Sequence, residues 1–583
     1  MTSDLTPLED AHDRRRVRSA QGILLEANLA GLLAPADVHV AVRLGRLGGE
    51  SDERVLLAAA LAVRAVRLGS VCVDLGTVPE TAPDLSWPSA PAWREAVAQS
   101  PLVSDGVLHE HDGLLYLQRY WAEESQVCDD LLRRRSAAPP EVDLTRLREA
   151  LTGHFPGGGY AEQRAAAEMA ARQWTSVITG GPGTGKTTTI ARFLGALQAA
   201  SDRPLMVALA APTGKAAARM AQAVSIATQE SDFPAAQRDR VAALPSTTMH
   251  RLLGSRPDNR TRFRHHRGNR LPHDVVVIDE TSMVSLSLMA RLLEALRPDA
   301  RLVLVGDADQ LASVDAGAVL KDLVDGLGLL PEAPIARLTT SHRFGGGIGA
   351  LATAIRAGDA DAAAAVLAAG SADVSLVDVA GARDAVLPAA LSLVEAAEAG
   401  RRAEAVALLD SHRLLCAHRE GPYGIRTWNR QLERWLLEAT GRDWLPRWYA
   451  GQPVIVTAND YGLGLFNGDT GVVCRATPGA PDLVGLIADG EQPQGRPYPL
   501  TRLAETEPAH AITVHRSQGS QFDTVTVLLP EPESALLTRE LLYTAVTRAR
   551  SGVSVIGTED AVRAAVGRRA QRATGLAKRL AQG

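Results

Sequence analysis

Cysteine and aromatic residues are scarce in this chain, and neither sign of charge dominates. The four cysteines, Cys72, Cys128, Cys416 and Cys474, lie far apart, with no CxxC pair and no Cys/His spacing suited to zinc. Neither a disulfide framework nor a zinc-held module is indicated. His265–His266 is the nearest approach to a metal-ligand cluster, but it sits among arginines that would repel a cation. With 62 basic against 67 acidic residues the net charge is −5, so any nucleic-acid surface must be a local groove rather than a property of the whole chain. No run approaches ~20 apolar residues, and Met1 to Arg18 is polar and of mixed charge, unlike a signal peptide. No membrane partner is expected, and a cytoplasmic location is. The low aromatic content, 4%, beside abundant Ala, Leu, Val, Arg and Gly reads mainly as coding bias.

What is present is ordinary globular material: 46% hydrophobic and 22% charged over 583 residues. A prior of ~150 residues per domain suggests roughly three or four domains. Residues 1–130 alternate short apolar runs with polar breaks. Val55–Val66 has helical character, Ser70–Leu75 that of a strand, and Leu114–Trp121 could be a strand or lead a helix. Arg133–Pro140 and Pro156–Gly159 are breaks, so 131–159 reads as a linker.

From about 160, continuous Val/Ile/Leu runs alternate with helical stretches. The strand candidates are Ser176–Thr179, Met206–Ala211, Val275–Ile278, Leu302–Val305, Val454–Thr457, Val525–Leu529 and Val553–Ile556. Such runs suit strands buried on both faces of a parallel sheet, linked by helical crossovers. The expected fold is α/β, with two parallel-sheet domains over 160–345 and 346–583. Residues 357–410 read as helical, and Leu463–Asp469 has the turn residues of a small β unit.

Gly180-Gly-Pro-Gly-Thr-Gly-Lys-Thr187 fits GxxxxGK[ST] between a strand-like run and a helix. Glycines at this spacing let backbone N–H groups converge on phosphate oxygens at a helix N-terminus. Gly180, Gly181, Pro182, Gly183, Thr184, Gly185, Lys186, Thr187 and Thr188 are therefore the candidate nucleotide-binding residues. Lys186 suits the β- and γ-phosphates, and Thr187 suits Mg2+. Asp279 and Glu280 follow the run Val275–Ile278; Asp279 would complete the magnesium shell and Glu280 polarise the attacking water. Alone, the pair could equally be a capped turn. Gln310, after a third such run, could sense the γ-phosphate, with a surface turn as the alternative.

A phosphate loop alone does not separate kinases, GTPases, transporters and motors. The ordered blocks do. They are Gln163, GGPGTGKTTT (180–189), APTGKAAARM (211–220), TTMHRLLG (247–254), VVVIDETSMV (275–284), LVLVGDADQLASVDAGAVL (302–320), TSHRF (340–344), NDYGLGLFNGDTG (459–471), TVHRSQGSQFD (513–523) and LLYTAVTRAR (541–550). The series resembles the RecD family of superfamily 1 DNA helicases over about 160 to 558; the N-terminal third matches only loosely. The resemblance implies two RecA-like motor domains with small β insertions and a mainly helical N-terminal domain. It implies that Gln163 reads adenine and that Arg343 and Arg548 act on ATP from the second domain. It also implies DNA contacts from Pro212, Thr213, Lys215, Thr248, His250, Asn459, His515, Ser517 and Gln518. Gln521 departs from the Glu often found at its position, and no role is assigned to it.

Residues 254–272, with six arginines and two histidines against one acid, resemble a β-hairpin insertion, and 452–505 a small barrel insertion. Trp428, Trp435, Trp444 and Trp448 are better explained as core packing than as base stacks. The first 130 residues are short and lack the Gly-rich helix-hairpin-helix signals of stand-alone relatives. This resembles members that work inside the RecBCD complex, exodeoxyribonuclease V. Family membership then implies ATP and Mg2+, RecB and RecC as partners, docking through 1–130, and 5′→3′ movement on the 5′-ended single strand. It also implies unwinding from DNA ends in double-strand break repair by homologous recombination. No carboxylate cluster of a nuclease is evident. A stand-alone helicase and a catalytically idle subunit are the alternatives.

Overall fold

The computed structural model describes residues 7–583 apart from 9, 11, 231, 257–258, 341–345, 444–445, 461, 480 and 490–491. Two expected residues, Arg343 and Trp444, therefore lie outside the described residues.

In the N-terminal unit helix Glu53–Arg67 packs on a small antiparallel sheet of β1 (Cys72–Asp74), β2 (Leu108–His111) and β3 (Leu114–Leu117), in the order β1-β3-β2, and against helices Pro35–Gly48 and Ala90–Ala98. Helix Glu53–Arg67 starts where Asp52 accepts the Arg54 N–H, and it buries Val55, Leu57, Leu61 and Ala65. Leu114–Trp121 is both things it could have been: β3, then helix Gln118–Ser136.

The expected linker is not one. Helix Gln118–Ser136 runs through Arg133–Ser136, and Arg134 donates to the Trp174 carbonyl at 2.7 Å and to Thr175 Oγ1 at 2.8 Å. A second helix, Leu144–His154, is capped by Asp143 and packs Leu147 and Leu151, with Phe155, against the helix of the phosphate loop. The arginine run reads as a break in the sequence, but the Arg134 guanidinium is bound to backbone at the foot of a motor strand.

Eight strands follow: β4 (Thr175–Gly180), β5 (Val207–Ala211), β6 (Ser246–Thr248), the hairpin β7 (Ser255–Arg256) and β8 (Asn259–Phe263), β9 (Val275–Ile278), β10 (Arg301–Gly306) and β11 (Ile335–Leu338). All but the hairpin form one parallel sheet, ordered β11-β4-β10-β9-β5-β6. The central strands carry the expected apolar runs. The edge strands β6 and β11 escape that pattern because an edge strand is only part-buried and needs no continuous apolar run.

The second half contains β12 (Val374–Val377), β13 (His412–Cys416), β14 (Pro453–Val456), β15 (Thr470–Arg475), β16 (Leu483–Asp489), β17 (Gln492–Tyr498), β18 (Thr506–Pro508), β19 (Ala511–Thr513), β20 (Phe522–Leu528) and β21 (Ala549–Ile556). A parallel sheet runs β12-β21-β20-β13-β19, and an antiparallel one β17-β16-β15-β14-β18. Val454–Thr457 thus belongs to the insertion, not to the motor sheet. The motor strand in its stead is β13, whose His-Arg start hides it; Arg413 is buried there with its guanidinium on the Leu409 and Ala509 carbonyls. Strand β12 also interrupts the stretch read as helical.

The chain does not end in the second motor domain. Helix Leu576–Gln582 returns to the first, packing on helix Val319–Leu327 and on Gln118–Ser136 with Leu576 and Leu580 buried. Trp428 and Trp435 meet edge to face at 6.0 Å in the core, which is the packing reading. Among the described residues no helix is long and apolar enough to cross a membrane.

Candidate active site

The phosphate loop leaves β4 and closes on helix Lys186–Ala199, with Gly183 and Gly185 at φ 79° and 80°. A side chain would be strained at either position, so the glycines permit the loop's curl. Thr184 Oγ1 donates to the Gly181 carbonyl at 2.9 Å, and Lys186 Nζ to the Gly180 and Gly181 carbonyls at 2.7 and 2.9 Å. The ammonium is thereby held at the loop's mouth. Gln163 is buried, with Nε2 3.5 Å from the Thr184 carbonyl. Its neighbour Glu162 accepts from the Thr339 and Thr340 N–H groups, tying that helix to the end of β11.

Asp279 and Glu280 emerge from β9 on the loop's flank. Glu280 is in the left-handed region, φ 50° and ψ 41°, a conformation that costs a non-glycine residue about 1–2 kcal/mol; such strain is characteristic of functional positions. Burial pushes the Asp279 carboxyl up to about 6, helped by the Glu280 charge and opposed by the Glu280 N–H and by Lys186. An acid so raised is stabilised in its ionised form by an incoming cation. Among the described residues no group of three or more His, Cys, Asp or Glu could hold a metal. The Thr187 hydroxyl and Asp279 carboxylate are hard oxygen donors, and one or two such ligands suit Mg2+ bound together with a nucleotide.

Across the cleft, the second domain meets these residues. Arg548 Nη2 donates to Gln310 Oε1 at 2.7 Å, and Gln310 Nε2 to Asp307 Oδ2 at 3.0 Å. Tyr543 donates to the same Asp307 oxygen at 3.1 Å. Leu311 is gripped from both sides, its N–H by Thr544 Oγ1 at 2.9 Å and its carbonyl by Gln518 Nε2 at 2.8 Å. Asp307, Gln310, Gln518, Tyr543, Thr544 and Arg548 are all buried. Beside them a cavity of about 610 Å³ is lined by Gly181, Pro182 and Thr184 from one domain and Thr353, Arg356 and Tyr543 from the other. The geometry is a cleft beside the phosphate loop, with a hydrogen-bonded wall linking the two sheets.

The residues expected to contact DNA fall into two groups. Pro212, Thr213 and Lys215 follow β5, where Thr213 caps helix Gly214–Gln229 by accepting the Ala216 N–H. Here the insertion and the second domain close in: a Cβ on Gly214 would lie 3.8 Å from the Phe466 ring, and one on Gly519 3.4 Å from Ala216. Burial lowers the Lys215 pKa, with Asp410 opposing. Thr248 caps helix Met249–Leu253, and the exposed His250 ring lies 5.7 Å from Phe263 of the hairpin. Asn459 Oδ1 accepts the Asn467 N–H at 2.8 Å and shapes its loop. His515 is half-buried, its pKa lowered by burial and by Arg572. Ser517 and Gln518 are different: Ser517 donates to the Val514 carbonyl, and Gln518 is committed to Leu311. Their side chains are engaged inside the protein.

Two arginines of the basic insertion are likewise structural, Arg267 on Asp130 at 2.8 Å and Arg270 on the Leu296 carbonyl at 2.5 Å. Sequence reasoning assigns no role to Asp307, Tyr543 or Thr544, although all three stand inside the ordered motif blocks. Tyr543 is five residues before Arg548, and that spacing is the signal that could have found it.

A family model described as an AAA domain matches residues 163–316, and one for a UvrD-like helicase C-terminal domain matches 508–556. A third, for the N-terminal domain of RecBCD enzyme subunit RecD, matches 29–116. RecBCD enzyme subunit RecD of Mycolicibacterium smegmatis is 56% identical over 569 residues, covering 96% of this chain and 99% of that one. The ATP-dependent RecD2 DNA helicase of Deinococcus radiodurans is 32% identical over 491 residues, 82% of this chain but 60% of that one. Among solved structures, Bacteroides Pif1 bound to single-stranded DNA aligns with a TM-score of 0.38 at 17% identity, over 69% of this chain and 93% of that one. By its identity over nearly the whole of both chains to the mycobacterial subunit, this chain belongs to the RecD family of ATP-dependent DNA helicases.

Proposed function

We propose that this chain is the 5′→3′ motor of a RecBCD complex, assembled with RecB and RecC and unwinding DNA from ends for double-strand break repair by homologous recombination. The observation that carries the motor reading is the bond from Arg548 to Gln310, which joins the second sheet to the flank of the phosphate loop. Arg548 and Arg343 would neutralise charge on the transferred phosphoryl group only while the cleft is closed. Lys186 would exchange its two carbonyl partners for phosphate oxygens, and Glu280 would orient and polarise the attacking water. Magnesium, held by Thr187 and Asp279, would supply charge neutralisation at the phosphates. Opening after hydrolysis would shift Pro212, Thr213 and Lys215 relative to His515, and Thr248, His250 and Asn459 would hold the strand meanwhile. The match of 29–116 to the RecD N-terminal domain supports assembly with partners, as does the poor coverage of the longer RecD2 helicase. No nuclease site is assigned to this chain.

The test is unwinding by the full chain, co-expressed with RecB and RecC, on duplexes with a 5′ or a 3′ single-stranded tail. To isolate this motor, each assay is compared with the same complex carrying Lys186→Gln. Loss confined to the 5′-tailed substrate supports the polarity. Loss on the 3′-tailed substrate overturns it, and failure of the chains to co-purify removes the assembly claim.

A further inference from the structure

Three residues of one short segment, Tyr543, Thr544 and Arg548, cross the cleft. Only Arg548 has a place in the chemistry above. Tyr543 sits on helix Arg539–Val546, 3% exposed, with its hydroxyl on Asp307 Oδ2. Gln310 Nε2 donates to that same oxygen, and Gln310 Oε1 accepts from Arg548. The bonds form a closed ring: Tyr543 to Asp307, Asp307 to Gln310, Gln310 to Arg548, and back along the backbone from 548 to 543.

Direction matters in this ring. An amide has one donating and one accepting end. While Asp307 takes the NH2 of Gln310, the amide oxygen must face Arg548; reversed, two sets of donors would oppose each other. Asp307 Oδ1 is already occupied by the Asp309 N–H at 3.1 Å, so Oδ2 is the oxygen that sets the amide. Tyr543 is the second donor to it and comes from the other domain. Its hydroxyl is also close over the phosphate loop, 3.0 Å from where a Cβ on Gly181 would stand. A buried carboxylate that loses a donor is costly and reorients, and here reorientation would pass directly to Gln310 and Arg548.

We propose that Tyr543 is a positioning residue for ATP hydrolysis, whose hydroxyl orients Asp307, and through it Gln310, so that Arg548 arrives in register with the phosphate loop. This rests on the nucleotide-cleft reading and deepens it.

The test uses the full chain and its hydrolysis of ATP in the presence of single-stranded DNA. Tyr543→Phe keeps the ring packing and removes one hydroxyl, so kcat falls about tenfold while KM for ATP stays within about twofold. Asp307→Asn shows the same split. The double variant is no slower than Asp307→Asn alone, because both changes remove one shared contact. Losses that multiply in the double variant overturn the proposal, as does a kcat for Tyr543→Phe within about twofold of the parent. If Tyr543→Phe does not fold, Asp307→Asn decides alone: an unchanged kcat overturns the proposal. Lys186→Gln separates the two readings, since normal turnover in that variant sinks the cleft itself. An inactive Lys186→Gln beside a fully active Tyr543→Phe leaves the cleft standing and removes only the positioning role.

Discussion

The Lys186 ammonium rests 2.7 Å from the Gly180 carbonyl, tethered at the mouth of the phosphate loop by the loop's own backbone. Neutral carbonyls hold a cation less strongly than a phosphate does, so a phosphate brought to the loop would draw the side chain off these carbonyls.

Lys186→Gln is therefore expected to lower DNA-stimulated ATP hydrolysis by about 10²–10³-fold, the scale of losing one preorganised charge at a transition state. Its melting temperature should stay within about 2 °C of the parent, because the lysine is only half-buried and non-core substitutions cost little. A steady-state ATPase assay beside a thermal melt reads both.

Arg548→Ala should slow kcat by about 10³-fold, within the range for trans-acting arginines. It should also destabilise the chain by about 1–3 kcal/mol, since Gln310 Oε1 and the Thr544 carbonyl lose buried donors. Arg548→Lys should not rescue it, because one ammonium cannot reach the Thr544, Ser520 and Gln310 acceptors that the planar fork spans. Full activity of the lysine variant would show that charge alone suffices.

His510 is buried against Tyr449, its ring nitrogen 2.7 Å from the Tyr449 hydroxyl, and burial, with Arg413 adding, pushes its pKa down to about 3. The unfolded chain, near 6.5, binds the proton first as pH falls. This histidine's contribution is thus fully present above about pH 6.5 and is lost on the way down to about pH 3. His510→Gln removes the titration. The stability difference between parent and variant should narrow by roughly 2 kcal/mol between pH 7.5 and 4.5, measured by denaturant melts at both values; a constant difference would remove the assignment.

Gly326 sits inside helix Val319–Leu327, where alanine ordinarily adds up to about 1 kcal/mol. The sign should reverse here. A Cβ at Gly326 would stand 2.6 Å from the Ala577 carbonyl and 2.9 Å from Leu580 Cβ, displacing the returning C-terminal helix. Gly326→Ala should cost about 1–3 kcal/mol and make the segment after Gly567 the first site of limited proteolysis. A more stable variant would mean that the helix accommodates the methyl.

Much of the chemistry is legible in the residues themselves. The phosphate loop is eight contiguous residues whose glycines encode the backbone shape, and Asp279–Glu280 follows a strand that its Val/Ile run announces. Most interior strands of the two sheets are readable for the same reason, being buried on both faces. Edge strands β6 and β11 and the His-Arg start of β13 are not, because partial burial or backbone-bound charge blurs the apolar pattern. The supposed linker fails similarly: an arginine's partners 40 residues away leave no mark on its own neighbourhood.

The amino-acid sequence by itself determined the curl of the phosphate loop and so the candidate residues for gripping a nucleoside triphosphate, because that curl is made by neighbouring residues through local backbone geometry. Only the tertiary structure decided that Tyr543 and Gln310 share one oxygen of Asp307, that Gln518 serves the cleft wall, and that the last helix belongs to the first motor domain. Those relations join residues hundreds of positions apart. They arise from burial and donor–acceptor matching between packed elements, which no periodicity along the chain records.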